Sequence, residues 1–174
     1  MNAQGTAGVA RVVAELVKGK TELDRETAVK VAEALAKNFA VKTEDVSILR
    51  LMPGGRQLEF IVPEKLSKVG TIPLTSTKAL AVRTVRGRKG EFINKFSAAE
   101  HHTVFEAVPL SKEGAQPIQK ILCVPVLAKG KTTGVIQVTR KGKTPGTAGP
   151  DFTNKDMDEV RQIAAALAPC FPQG

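Results

Sequence analysis

The chain has 174 residues, 42% of them hydrophobic and 25% charged, which is the make-up of one ordinary globular domain long enough to bury a core. No apolar run approaches the roughly 20 residues of a membrane span, and Cys123 and Cys170 make no disulfide framework, so a reduced, cytoplasmic setting is expected. Basic residues outnumber acidic ones 26 to 17, a net charge of +9, but the seven Phe, without any Tyr or Trp, are not interleaved with the basic clusters as a single-strand binder requires, which argues against nucleic acid.

The start of the chain, "MNAQGTAGVARVV", lacks a basic region followed by a long apolar core, so no secretory signal is expected. Val9, Val12, Val13, Leu16 and Val17 then recur at helical spacing and form one apolar stripe, closed by Gly19. A second helix follows from Asp24, a candidate N-cap, with Ala28, Val31, Ala32, Leu35, Ala36 and Phe39 as its stripe. Residues 1–20 read as an N-terminal helix and possible dimerisation element, and residues 21–174 as the domain proper.

"EDVSILRLM" and "RQLEFIVP" flank the turn Pro53-Gly54-Gly55 and read as a hairpin. "GTIPLTSTKALAVRTVRG" reads as a short helix from about Ser76, closed by Gly87. "GEFINKF" is a strand with Phe92, Asn94 and Phe96 on one face. "SAAEHHTVFEAV" reads as a further short helix and "PLSKEGAQP" as a loop. "ILCVPVLA" and "GVIQVT" then surround Lys129-Gly130-Lys131. These strands are apolar on both faces until Gln137, so this hairpin should be central and covered on both sides. The last helix has Thr153 as N-cap and Asp156 three residues on, with Met157, Val160, Ala164 and Leu167 as its stripe. This is an α+β order with an antiparallel sheet; the pass finds five strands.

"ILCVPV", a turn, "GVIQV", a loop and "DFTNKDMDEVRQIAAALA" resemble the closing signature of GAF domains, the small-molecule-sensing modules of signalling proteins. Upstream, "VSILRL" with "LEF", "IPLTSTKALAVRTVRGRKGEFIN" and "HHTVFE" match in order, so the resemblance covers roughly residues 25 to 168. It implies a six-stranded antiparallel sheet with helices on both faces, GAF/PAS-like. The terminal helices would lie on one face and a ligand pocket on the other. The sixth strand is then expected in the lid region. On this resemblance Ser47, Phe60, Phe92, Asn94, Phe96, His102, Phe105 and Glu106 are the candidate ligand contacts, with Arg83 a candidate partner for Glu106.

The family's subclasses can be compared residue by residue. Cyclic-nucleotide-binding members carry Asn-Lys, then Phe, then Asp-Glu; the register here gives Arg140-Lys141, Phe152 and Asp156-Met157, so two positions depart. Bilin-binding members need a Cys beside a lid His, and "EHHTVFE" has none. The thiol-dependent methionine-sulfoxide reductases of this fold need reactive Cys ahead of the hairpin, whereas Cys123 lies within it, where a Cys is most often a small buried hydrophobe. His101 and His102 diverge on a helix or a strand and cannot share a metal. "PGGR" is a turn and not a phosphate loop, because no Gly-Lys-Ser/Thr follows.

The sequence therefore reads as a stand-alone sensory module, not an enzyme, with no cofactor or metal. It would bind a small molecule, order the lid over residues 97–118, and signal by helix packing or homodimerisation to a partner protein, with no membrane attachment. The alternatives are a thiol-dependent reductase on the GAF fold and a scaffold with a collapsed pocket.

Overall fold

A computed structural model describes residues 3–96 and 116–171 of the chain. Its longest described strands form the hairpin of β5 (Ile118–Ala128) and β6 (Lys131–Lys141). Lys129 and Gly130 join them with φ of 53° and 77°. Two positive φ values in a two-residue loop make the turn whose twist matches that of paired strands. On the other side of β6 lies β1 (Val46–Leu51), then β2 (Gln57–Val62) and β3 (Thr71–Pro73); β4 (Glu91–Ile93) closes the far edge. The order β3-β2-β1-β6-β5-β4 is antiparallel throughout.

The sixth strand of the sheet is β3; residues 97–115 of the lid region, where a sixth strand was expected, lie outside the described residues. β3 has three residues, one of them a proline, and among the described residues it pairs only with β2. A proline at a sheet edge leaves no ladder bond unmade, but so short a run gives no alternation for sequence to detect.

Alternation along the strands divides the core in two. Val46, Ile48, Leu122, Val124, Val126, Ile136 and Val138 face a helical layer. That layer is α1 (Ala3–Leu16), α2 (Arg25–Phe39) and α5 (Asn154–Leu167). Leu49, Leu58, Phe60, Ile121, Cys123 and Val135 face the other way, where α4 (Leu80–Gly87) packs. A short helix, α3 (Glu64–Ser67), follows β2. Val124 is buried on the helical side and its neighbour Cys123 on the other, so the hairpin is covered on both faces there.

The helix ends follow local chemistry. Thr27 N donates to Asp24 Oδ1 at 2.7 Å at the start of α2, which closes on Ala40 at φ 53°. At the start of α5, Asp156 N donates to Thr153 Oγ1 at 3.2 Å and Thr153 N donates to Asp156 Oδ2 at 2.9 Å, so two otherwise orphaned amides are satisfied reciprocally. The closure of α4 falls one residue beyond Gly87: Arg88 takes the left-handed conformation, φ 55°.

α1 has a place inside the chain. Val13 and Val17 are buried against α2 and α5, with Val9 and Leu16 partly covered. Val12, 51% exposed, is the part left outward.

Candidate functional site

The sheet face opposite α1, α2 and α5 carries a polar row across its middle. Ser47 stands directly opposite Gln137, Gln137 opposite Cys123, and Cys123 opposite Glu91. Apolar side chains flank this row: Leu49, Phe60, Ile121 and Val135 of the sheet and Phe96 after β4. α4 lies over one end of it.

The row is tied together at Cys123, which is fully buried. Thr84 Oγ1 on α4 lies 3.1 Å from Cys123 Sγ and 3.0 Å from Leu80 O. A hydroxyl has one proton, so giving it to the carbonyl leaves Oγ1 to accept from a protonated thiol. Gln137 Nε2 reaches the same sulfur at 3.5 Å, which leaves its amide oxygen for another donor. Burial pushes the Cys123 thiol up to about 12. At the end of the row Arg83 Nε donates to Glu91 Oε1 at 2.9 Å, with a second bond from Nη2 to Oε2. Arg83 therefore has a partner on β4; its expected partner, Glu106, lies outside the described residues.

The sequence-predicted contacts separate by face. Ser47, Phe60 and Phe96 come together on the α4 side, all buried. Phe92 packs toward the helical layer. Asn94 shares that side: its Nδ2 donates to Phe152 O at 3.0 Å, and Phe152 N donates to its Oδ1 at 2.8 Å. The amide thus clamps the chain after β4 to the segment leading into α5, and its polar atoms are engaged there. Phe96 departs from the side of Phe92 and Asn94 because β4 ends at Ile93, and strand alternation with it. His102, Phe105 and Glu106 lie outside the described residues. Gln137 is the functional candidate that sequence reasoning missed. Its signal was the single polar side chain inside "GVIQV", which marked only the end of an apolar run.

The broken nucleotide signature serves the fold. Lys141 pairs with Asp45 at 3.1 Å, and Asp156 caps α5. The Arg140 guanidinium sits 4.9 Å from the centre of the Phe152 ring and donates through Nη1 to Phe39 O, the end of α2, at 2.9 Å. Beside it, buried Lys120 reaches Gly149 O at 2.6 Å and Asp151 at 2.8 Å. These contacts fix the loop between β6 and α5. Among the described residues, no group of three His, Cys, Asp or Glu side chains is placed to hold a metal, and no helix is long and apolar enough to cross a membrane.

No family model matches the chain, and no curated protein matches it by sequence. Solved structures do match in fold. The chain is similar to the GAF domain of a phosphoenolpyruvate-protein phosphotransferase from Acinetobacter, at 16% identity and a TM-score of 0.70, over 98% of this chain and 94% of that one. It is similar to the corresponding GAF domain from Coxiella burnetii, at 13% identity and a TM-score of 0.69, over 97% and 93%. It is also similar to a free methionine-R-sulfoxide reductase from Neisseria meningitidis in complex with its substrate, at 13% identity and a TM-score of 0.68, over 98% and 92%. The chain has the GAF fold, an α+β architecture on a six-stranded antiparallel sheet.

Proposed function

We propose that this chain is a small-molecule-binding sensory domain. Its ligand lies on the sheet face that carries Ser47 and Gln137, with Phe60 and Phe96 as apolar walls. His102, Phe105 and Glu106 of the sequence reading are further candidates. The observation that carries the proposal is the polar row itself. A sheet face that served packing alone would be apolar at its centre, since burying a polar group there costs free energy unless it is hydrogen-bonded. Ser47 and Gln137 put a hydroxyl and an unshared amide oxygen side by side on the two central strands. A small polar ligand can hydrogen-bond to both. Binding there is felt on the opposite face, because β1 and β6 present alternate side chains to α1, α2 and α5. The signal is then a shift in how those helices pack.

A thiol reductase on this fold is the second reading, favoured by the fold neighbour and by the presence of Cys123 in the row. Two observations weigh against it. A thiol held near 12 supplies almost no thiolate at neutral pH. Cys170, the other cysteine of the chain, belongs to the core on the helical side of the sheet, so the two cannot join in a disulfide.

Native mass spectrometry of the purified protein, followed by thermal-shift screening of small polar metabolites with free methionine-R-sulfoxide among them, tests the proposal. A stabilising ligand whose effect is lost in Ser47→Val and Gln137→Leu supports it. A ligand whose effect survives both changes sinks this placement. Sulfoxide turnover with added dithiol, abolished in Cys123→Ala, would establish the reductase instead.

A further inference from the structure

A concave feature lies at the edge of the sheet. β4 pairs with β5 only from Ile121 to Cys123. Beyond that point β5 keeps β6 on one side and, among the described residues, has no strand on the other. α5 passes beside this free stretch and leaves a cleft of about 370 Å³. Its apolar lining comes from Val124, Pro125 and Leu127 of β5 with Ala164 and Ala165 of α5; Arg88, Lys89 and Arg161 supply three cations. Leu127 is an exposed large hydrophobic residue.

The backbone brings the cations there by two unusual steps. α4 does not close on its glycine; the left-handed position falls on Arg88, a conformation that favours Gly and that other residues adopt at a cost in strain. Gly90 then lies low against Met157 and Val124: a Cβ on it would stand 2.9 Å from Met157 Sδ and 3.3 Å from Val124 Cγ2. The chain from α4 to β4 is thereby drawn down at the cleft. Neither Arg88 nor Lys89 forms an ion pair with a described residue. Arg161 holds a carboxylate, Asp158 Oδ1, at 3.0 Å, but this pair is exposed and within one turn of α5, an arrangement of little net worth that a ligand carboxylate can replace.

We propose that this cleft binds a small carboxylate with a short apolar body, its head on Arg88, Lys89 and Arg161 and its body on Pro125, Leu127, Ala164 and Ala165. An apolar surface with a few charged groups at its edge is the usual build of a small-ligand site, and guanidinium groups match a carboxylate in shape and charge. The site is separate from the Ser47–Gln137 row and does not depend on it. Because α5 forms one wall, occupancy acts directly on the helical layer.

Titration of the ¹⁵N-labelled full chain with octanoate, acetate and 1-octanol tests this by amide chemical shifts. Octanoate is expected to give saturable shifts concentrated at Arg88–Gly90, Val124–Leu127 and Arg161–Ala165. Acetate lacks the apolar body and octanol the charge, so each should bind more weakly by about tenfold or more. Arg88→Gln with Arg161→Gln should weaken octanoate to the level of octanol. Ala165→Trp, at an exposed helix position, should block the cleft while leaving the melting temperature near wild type. The proposal is overturned by an absence of saturable shifts with octanoate, by shifts centred on the opposite sheet face, by octanol matching octanoate, or by unchanged affinity in the Arg88/Arg161 double variant or in Ala165→Trp.

Discussion

At the scale of single residues, the constraints are steric and electrostatic. A Cβ on Gly134 would lie 2.6 Å from Phe171 Cε1 and 2.7 Å from Leu49 O. A ring can turn aside, but the carbonyl belongs to the neighbouring strand and cannot move without the ladder. Gly134→Ala should therefore destabilise by about 2–3 kcal/mol, read as a lower denaturation midpoint at unchanged slope. Cys123 makes an alkaline prediction. Its thiol is raised to about 12 from an ordinary value of 9.0. Below pH 9 both folded and unfolded chains hold the proton, and the contribution is constant. Above pH 9 the unfolded chain loses it first, so stability falls as pH rises toward the folded value. Between pH 8 and 10 the wild type should lose about 1 kcal/mol more than Cys123→Ala, and its native thiol should stay silent to a disulfide reagent at pH 8.

At the scale of elements, the helix ends are local agreements between a side chain and its own backbone. Thr153→Ala removes the hydroxyl that receives Asp156 N and should cost about 1 kcal/mol, measured by chemical denaturation. Such local signals are why Asp24, Thr153 and Asp156 were legible in the sequence, and why the apolar run of the β5–β6 hairpin placed both its strands inside the sheet, although β1 and β6, not β5 and β6, are its central pair. Elements defined by distant partners were less so. β3 exists because three residues pair with β2, which no pattern within "TIP" announces. The candidate site was legible in part for the same reason. Strand parity identifies which residues share a face, but not which face the helices cover. Phe92 and Asn94 followed the alternation expected of their strand, yet that side belongs to α5. Gln137 gained its significance from standing opposite both Cys123, its partner across the hairpin, and Ser47, on a strand far away in sequence.

At the scale of the whole molecule, the question is what α1 does. Its stripe is divided between the inside of the chain and the outside. Val13 is 0% exposed and packs into the core shared by α2 and α5, whereas Val12, one residue earlier, is 51% exposed. An unpaired carboxylate at the first position would be buried without a partner, so Val13→Asp should destabilise by more than about 3 kcal/mol. Changing Val13 and Leu16 together to Glu should for the same reason unfold the domain and not release a folded monomer. Homodimerisation through α1, if this chain uses it, must then run over the outer face that holds Val12. Val12→Glu touches that face alone and should leave the melting temperature within about 2 °C of wild type. Light scattering on wild type and Val12→Glu side by side decides the matter. A dimeric wild type with a monomeric Val12→Glu places the twofold contact on α1. A dimer that survives the change places it elsewhere, and a monomeric wild type removes the dimer and leaves α1 as a helix that seals the core of its own chain.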